Sequence, residues 1–96
     1  MSVIVILKST INQEKLPELT VFLEANLPNV RGFKGCQNVT VLLNRDNGEM
    51  IFHETWKDPS AHADYLQSIQ ENGVLAALSQ FLVAGPEISY LTSWDI

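Results

Sequence analysis

The stretch QNVTVLLNRDNGEMIFHETW, residues 37–56, reads as two β-strands joined by a tight turn and decides the fold. Residues 37–44 and 49–56 are rich in the β-branched and apolar side chains that a pleated, half-buried ribbon favours. Between them, Asn47-Gly48 suits a type I′ turn, whose two central residues both need positive φ. With side chains alternating across the ribbon, Val39, Val41 and Leu43 share one face and Leu42 takes the other; Ile51 lies opposite to Met50 and Phe52.

Working outward, residues 3–8 begin with an unbroken β-branched apolar run and predict a strand. Leu16, Leu19, Leu23 and Leu27 recur at spacings of three and four, the mark of one helical face. Asn12 suits the N-cap of that helix, but Pro17 falls a turn further in, so either the first turn is irregular or the helix begins later. Pro28, Gly32 and Gly35 end the region. Downstream, Asp58-Pro59 reads as an N-cap followed by proline at the first helical position. Ala61, Tyr65, Leu66 and Ile69 give that second helix its apolar face, and Gly73 stops it. Residues 74–82 predict a further short helix, Gly85-Pro86 a break, and residues 88–94 a last strand. The order β-α-β-β-α-β is the ferredoxin-like arrangement of the α+β class: one antiparallel sheet with the helices on one face. The 96 residues predict a single domain, residues 1–96.

Such a sheet should alternate, apolar toward the helices and polar away from them. Here Val3, Ile4, Val5, Ile6 and Leu7 are apolar on both faces, and hydrophobic residues make up 46% of the chain against 18% charged. A domain of this size buries only about 60–65% of the surface its unfolded chain exposes. The open sheet face would therefore be an exposed apolar patch, and the economical cover is the same face of an identical chain. The sequence predicts a homodimer.

A formal charge of −5, with the six Lys and Arg side chains scattered, disfavours nucleic acid and anionic membrane as partners. No apolar run near the start is long enough for a signal peptide or a membrane span. The single cysteine, Cys36, forms no intrachain disulfide and fits a reducing compartment, so the expected location is cytoplasmic. Two histidines and one cysteine show no metal-ligand spacing, and Gly32 to Gly35 is too short for a phosphate loop.

Glu54-Thr55-Trp56-Lys57-Asp58, followed by Tyr65-Leu66, Glu71-Asn72-Gly73 and Gly85-Pro86, resembles the antibiotic biosynthesis monooxygenase family. The segment from Arg31 to Cys36, with its Gly-Cys pair entering a strand, is similar to the matching part of that family. The resemblance covers nearly the whole chain. It implies a dimeric α/β barrel built from two facing sheets. It also implies a cofactor-independent oxygenase acting on a small quinol-like or polyketide-type aromatic, with no metal or flavin. Haem-degrading relatives use an asparagine in the first strand, which this chain lacks. Where many relatives have a histidine in the second helix this chain has Tyr65, and the arginine some carry beyond it is absent.

Oxidation without a cofactor needs an electron-rich substrate made anionic in a dry pocket, hence a base and polar groups to hold the anion. His53 and His62 are the only histidines, with an ordinary pKa near 6.5 that suits a base at neutral pH. The simpler readings are a strand residue at a dimer contact or in solvent for His53, and a solvated helix residue for His62. His62 and Tyr65 share a helical side. The resemblance places Trp56 beside the pocket; otherwise it is a core or rim aromatic. The expected catalytic set is thus His62, His53 and Trp56. Glu54, Tyr65, Tyr90, Trp94 and Asn38 are expected to bind substrate, Tyr90 and Trp94 from one face of the last strand. The competing expectation is a barrel that keeps the pocket and binds a small ligand without oxidising it.

Overall fold

Burial alternates along the first strand, β1 (Val3–Ile11), in the computed structural model, which describes residues 2–96. Val3, Val5, Leu7, Ser9 and Ile11 are buried against the helices, while Ile4, Ile6, Lys8 and Thr10 face the other side. The strand continues past the predicted end at Lys8, because Ser9 and Thr10 hold the pleat as well as apolar residues do.

A 3₁₀ turn, Gln13–Lys15, leads into α1 (Leu16–Arg31). Asn12 caps the turn by accepting the Glu14 N–H at 3.2 Å, and Pro17 sits in the first turn of α1 where no intrahelical donor is needed. The irregular start and the later helix are thus both present. Pro28 does not end α1, contrary to the sequence expectation: it lies inside the helix, which runs on to Arg31. Pro28 and Glu24, whose carbonyl loses its partner, are both exposed, so water can take the freed bond.

β2 (Cys36–Leu43) and β3 (Glu49–Trp56) form the predicted hairpin. Its turn is not type I′. The Gly48 N–H reaches the Asn44 carbonyl and the Asn44 N–H reaches that of Glu49, each at 2.8 Å, which closes a loop of residues 45–48. Gly48 takes a φ of 76°, and Asn47 stays at negative φ while its side chain accepts the Glu49 N–H at 2.9 Å. After α2 (Pro59–Glu71) and the short α3 (Val74–Ser79), β4 spans Leu82–Leu91. The last strand therefore begins before Gly85-Pro86 and ends before Trp94, which corrects both expected bounds. Pro86 is tolerated because β4 is an edge strand, where one missing N–H breaks no ladder on the outer side.

The strands make one antiparallel sheet in the order β2-β3-β1-β4. With its helices on one face, this is the expected ferredoxin-like α+β fold. Val3, Val5, Leu7, Val30, Val39 and Trp56 form the main buried cluster between sheet and helices, and Ile11, Leu19 and Met50 a second. Fully burying each such side chain contributes about 1.5–3 kcal/mol. On the other face, Ile6 pairs with His53 and His53 with Thr40, while Leu42 is paired to Ile51 and is 52% exposed. No helix among the described residues is long and apolar enough to cross a membrane.

Candidate active site

Glu54 and Trp56 stand two apart on β3, so both side chains point to the helix side, where they are buried. Asp58 fixes the start of α2 by accepting the Ala61 N–H at 2.8 Å, and this brings His62 round onto the sheet. The His62 ring has no exposure at all, against the expectation of a solvated helix position. Tyr65, one turn on, stacks beside it with ring centroids 6.5 Å apart. From β4, Tyr90 lies opposite Val5 and reaches the same cluster from the sheet edge.

The polar contacts are few and specific. Trp56 Nε1 donates to Glu54 Oε1 at 2.8 Å. His62 Nδ1 and Tyr90 Oη share a hydrogen bond of 2.8 Å. His62 Nε2 lies 3.6 Å from Glu54 Oε1, beyond hydrogen-bond distance, and is buried with no partner. Trp56 packs edge-on against His62 at 5.3 Å and tilted against Tyr65 at 5.5 Å, with Phe33 edge-on to Tyr65 at 5.3 Å.

Burial sets the electrostatics. Desolvation raises the Glu54 carboxyl above the usual carboxylate range, and the bond from Trp56 opposes that shift. Desolvation lowers the His62 imidazole to about 4, so the ring is neutral at physiological pH although a carboxylate lies close by. Tyr65 is pushed up to about 12 by burial, with Glu54 and Cys36 adding to it, and Tyr90 is raised by the same burial and by Glu54.

Beside this cluster is a cavity of about 110 Å³ between the sheet and α2 and α3, walled by Leu7, Phe52 and Ile88 with Glu54, His62 and Tyr65 as its titratable groups. A wider cleft of about 360 Å³ over Lys34, Lys57, Asp58 and Asp64 is lined by charges of both signs and holds no buried titratable group. A second apolar groove of about 240 Å³, between α1 and the sheet over Leu19, Leu23, Val41 and Met50, holds no buried titratable group, so the cavity beside His62 is the one that joins apolar walls to a candidate base.

Five of the residues singled out in the sequence thus come together: Glu54, Trp56, His62, Tyr65 and Tyr90. Three stand apart. His53 is on the open sheet face, and Asn38 is exposed on the edge strand with Thr40 Oγ1 at 3.5 Å. Trp94 lies beyond β4 and is 83% exposed, so it shares no strand face with Tyr90. The lining contributed by Pro86 has no signal in the sequence, because Gly85-Pro86 reads as a break rather than as part of a strand, and Ile88, although read as strand, carries no polar atom to mark a site. Among the described residues, no group of three or more His, Cys, Asp or Glu side chains converges on a metal-sized site.

The family model described as antibiotic biosynthesis monooxygenase matches residues 2–77, which include Glu54, Trp56, His62 and Tyr65. This chain belongs to the antibiotic biosynthesis monooxygenase family. The match ends before β4, so Tyr90 lies outside it. Among solved structures, a conserved protein from Methanosarcina mazei Go1 is similar over 97% of this chain and 93% of its own, with a TM-score of 0.85 at 20% identity. Rv0793 from Mycobacterium tuberculosis is similar over 100% of this chain and 98% of its own, with a TM-score of 0.82 at 20% identity. SnoaB, a cofactor-independent oxygenase from Streptomyces nogalater, is similar over 99% and 95%, with a TM-score of 0.80 at 17% identity. At these identities the likeness is one of fold. A comparison with curated proteins finds no match.

Proposed function

We propose that this family member is a monooxygenase that oxidises a small quinol-like phenol with dioxygen, using no metal or flavin. The observation that carries this is the unpartnered His62 Nε2, buried beside Glu54 on the wall of an apolar cavity. A buried polar atom without a partner costs about 1–3 kcal/mol, and a phenolic O–H placed there would supply the missing bond. Family membership and the fold shared with SnoaB support the same class of chemistry.

In this reading His62 takes the phenolic proton at Nε2, and Glu54 stabilises the imidazolium that forms. The phenolate gives one electron to dioxygen, and the resulting substrate radical and superoxide join at a ring carbon. The peroxide takes back the proton held by His62. The ring C–H proton then leaves as the O–O bond breaks, so phenol and dioxygen become quinone and water. Tyr65 lines the cavity, with Trp56 packed behind it at 5.5 Å, and the two keep water out. A cavity of about 110 Å³ is smaller than the apolar cavity of roughly 150 Å³ that holds benzene, so it admits no more than a single ring and widens to take one.

The chain acts as a homodimer in this account, with the open sheet faces, where Ile6, Leu42 and Ile51 lie, covering one another. With its lone thiol, Cys36, and the absence of a basic patch, it works in the cytoplasm on a small aromatic rather than on nucleic acid or membrane.

Oxygen uptake by purified, chelator-treated protein with a panel of single-ring and fused-ring quinols tests this. Uptake above the uncatalysed rate, fastest with single rings and lost in His62→Gln, is the expected result. One observation favours the non-oxidative alternative: no Lys or Arg lines the cavity to hold a phenolate. Tight binding of a phenol with no uptake would establish that reading and refute the oxygenase.

A further inference from the structure

The ring of His62 makes a single hydrogen bond among the described residues, the 2.8 Å contact between Nδ1 and Tyr90 Oη. Neutral imidazole carries one proton, on one nitrogen or the other, and the partner of each nitrogen decides which. Were Nε2 the protonated nitrogen, it would face a carboxylate oxygen and should close to about 2.8 Å, as charge-assisted bonds do. Instead it stands off at 3.6 Å, and Glu54 Oε1 turns to Trp56 Nε1 at 2.8 Å. Two lone pairs facing each other explain that separation. Nδ1 then holds the proton and donates to Tyr90 Oη. Tyr90, 46% exposed at the edge of the sheet, is free to give its own O–H to water.

We propose that Tyr90 is a positioning residue: by accepting from Nδ1–H it holds His62 in the tautomer whose Nε2 lone pair faces Glu54 and the cavity. The inference rests on the oxygenase reading for its purpose but not for its geometry. The titratable groups facing the ring are Glu54 from β3, Tyr65 from the same helix and Tyr90 from β4, and Tyr90 alone bonds it. Once Nε2 has taken a proton, the same hydrogen bond stabilises the imidazolium, as the orienting partner of a catalytic histidine does. Without the hydroxyl, the other tautomer gains Glu54 as an acceptor, and the base is lost while the cavity is unchanged.

Ring-nitrogen NMR of the whole protein tests this without any substrate, with His53→Gln assigning the signals of the second histidine. At neutral pH the wild type should show His62 protonated at Nδ1 and bare at Nε2, and Tyr90→Phe should move the proton to Nε2. With a phenol that is turned over, Tyr90→Phe should lower kcat roughly 10- to 100-fold and leave KM little changed. A wild-type ring protonated at Nε2 overturns the proposal even if the variant does not fold, and so does a Tyr90→Phe ring that keeps its tautomer. Absence of turnover with every phenol, the tautomer switch being present, refutes the oxygenase and leaves the positioning role standing. Turnover by a ring protonated at Nε2 does the reverse.

Discussion

Burial moves Glu54 and His62 toward neutrality from opposite sides, and their effects on stability oppose each other. His62 titrates near 6.5 when unfolded and at about 4 when folded, so its contribution is present above 6.5 and lost as pH falls toward 4. Glu54 has a raised folded pKa, so its contribution is present below its unfolded value and lost as pH rises through the folded one. Above about 4.5, where the two windows overlap, the slopes oppose each other in the wild type. Glu54→Gln removes one of them: stability should then rise by up to about 3 kcal/mol from pH 4 to 6.5. Urea unfolding at several pH values reads this directly, and a flat profile in the variant would contradict it. Trp56→Phe deletes the donor to Glu54 Oε1 and should cost about 1–3 kcal/mol. Combining it with Glu54→Gln should cost less than the sum of the two, because the residues share one bond. Glu54 and Trp56 were legible as a pair because they stand two apart on one strand and so share a face. The burial of His62 was not, since the side chains around it include Tyr90, a residue 28 positions away that leaves no local mark.

The elements with strong local chemistry were the legible ones: the hairpin, the Asp58-Pro59 start of α2 and the stop at Gly73. The turn between β2 and β3 differed because a longer loop lets Gly48 alone take the positive φ. β4 was misplaced because an edge strand forgives a proline that a central strand would not. Gly35 and Gly73 separate two kinds of glycine. Both have positive φ, but a Cβ on Gly35 would meet Ala61 Cβ at 2.5 Å, whereas one on Gly73 meets nothing within 4 Å. Gly73→Ala should cost about 1 kcal/mol, from the backbone alone. Gly35→Ala should cost about 1–3 kcal/mol more, because α2 must move and carry His62 with it. Equal thermal midpoints for the two variants would show that α2 does not depend on this close approach.

The apolar excess that the composition announced is located on the open face of the sheet, around Ile4, Ile6, Leu42 and Ile51. Light scattering at micromolar concentration should give the mass of two chains, and Ile6→Lys, which sets a charge in that face, the mass of one. A single-chain mass for the wild type would refute the dimer and leave the cavity, on the opposite face, untouched. What the composition could not reveal was the site itself, which exists only once β3, α2 and β4 are brought together around His62. The central claim is that this site receives a phenol's O–H at His62 Nε2, and a nitrophenol, whose absorbance moves to longer wavelength when its O–H is hydrogen-bonded, tests it without oxygen chemistry. Mixed with the protein below the probe's own pKa, it should bind the wild type as the phenol with a shifted absorbance and lose that shift in His62→Phe. Binding with the same unshifted spectrum to both proteins would contradict the account.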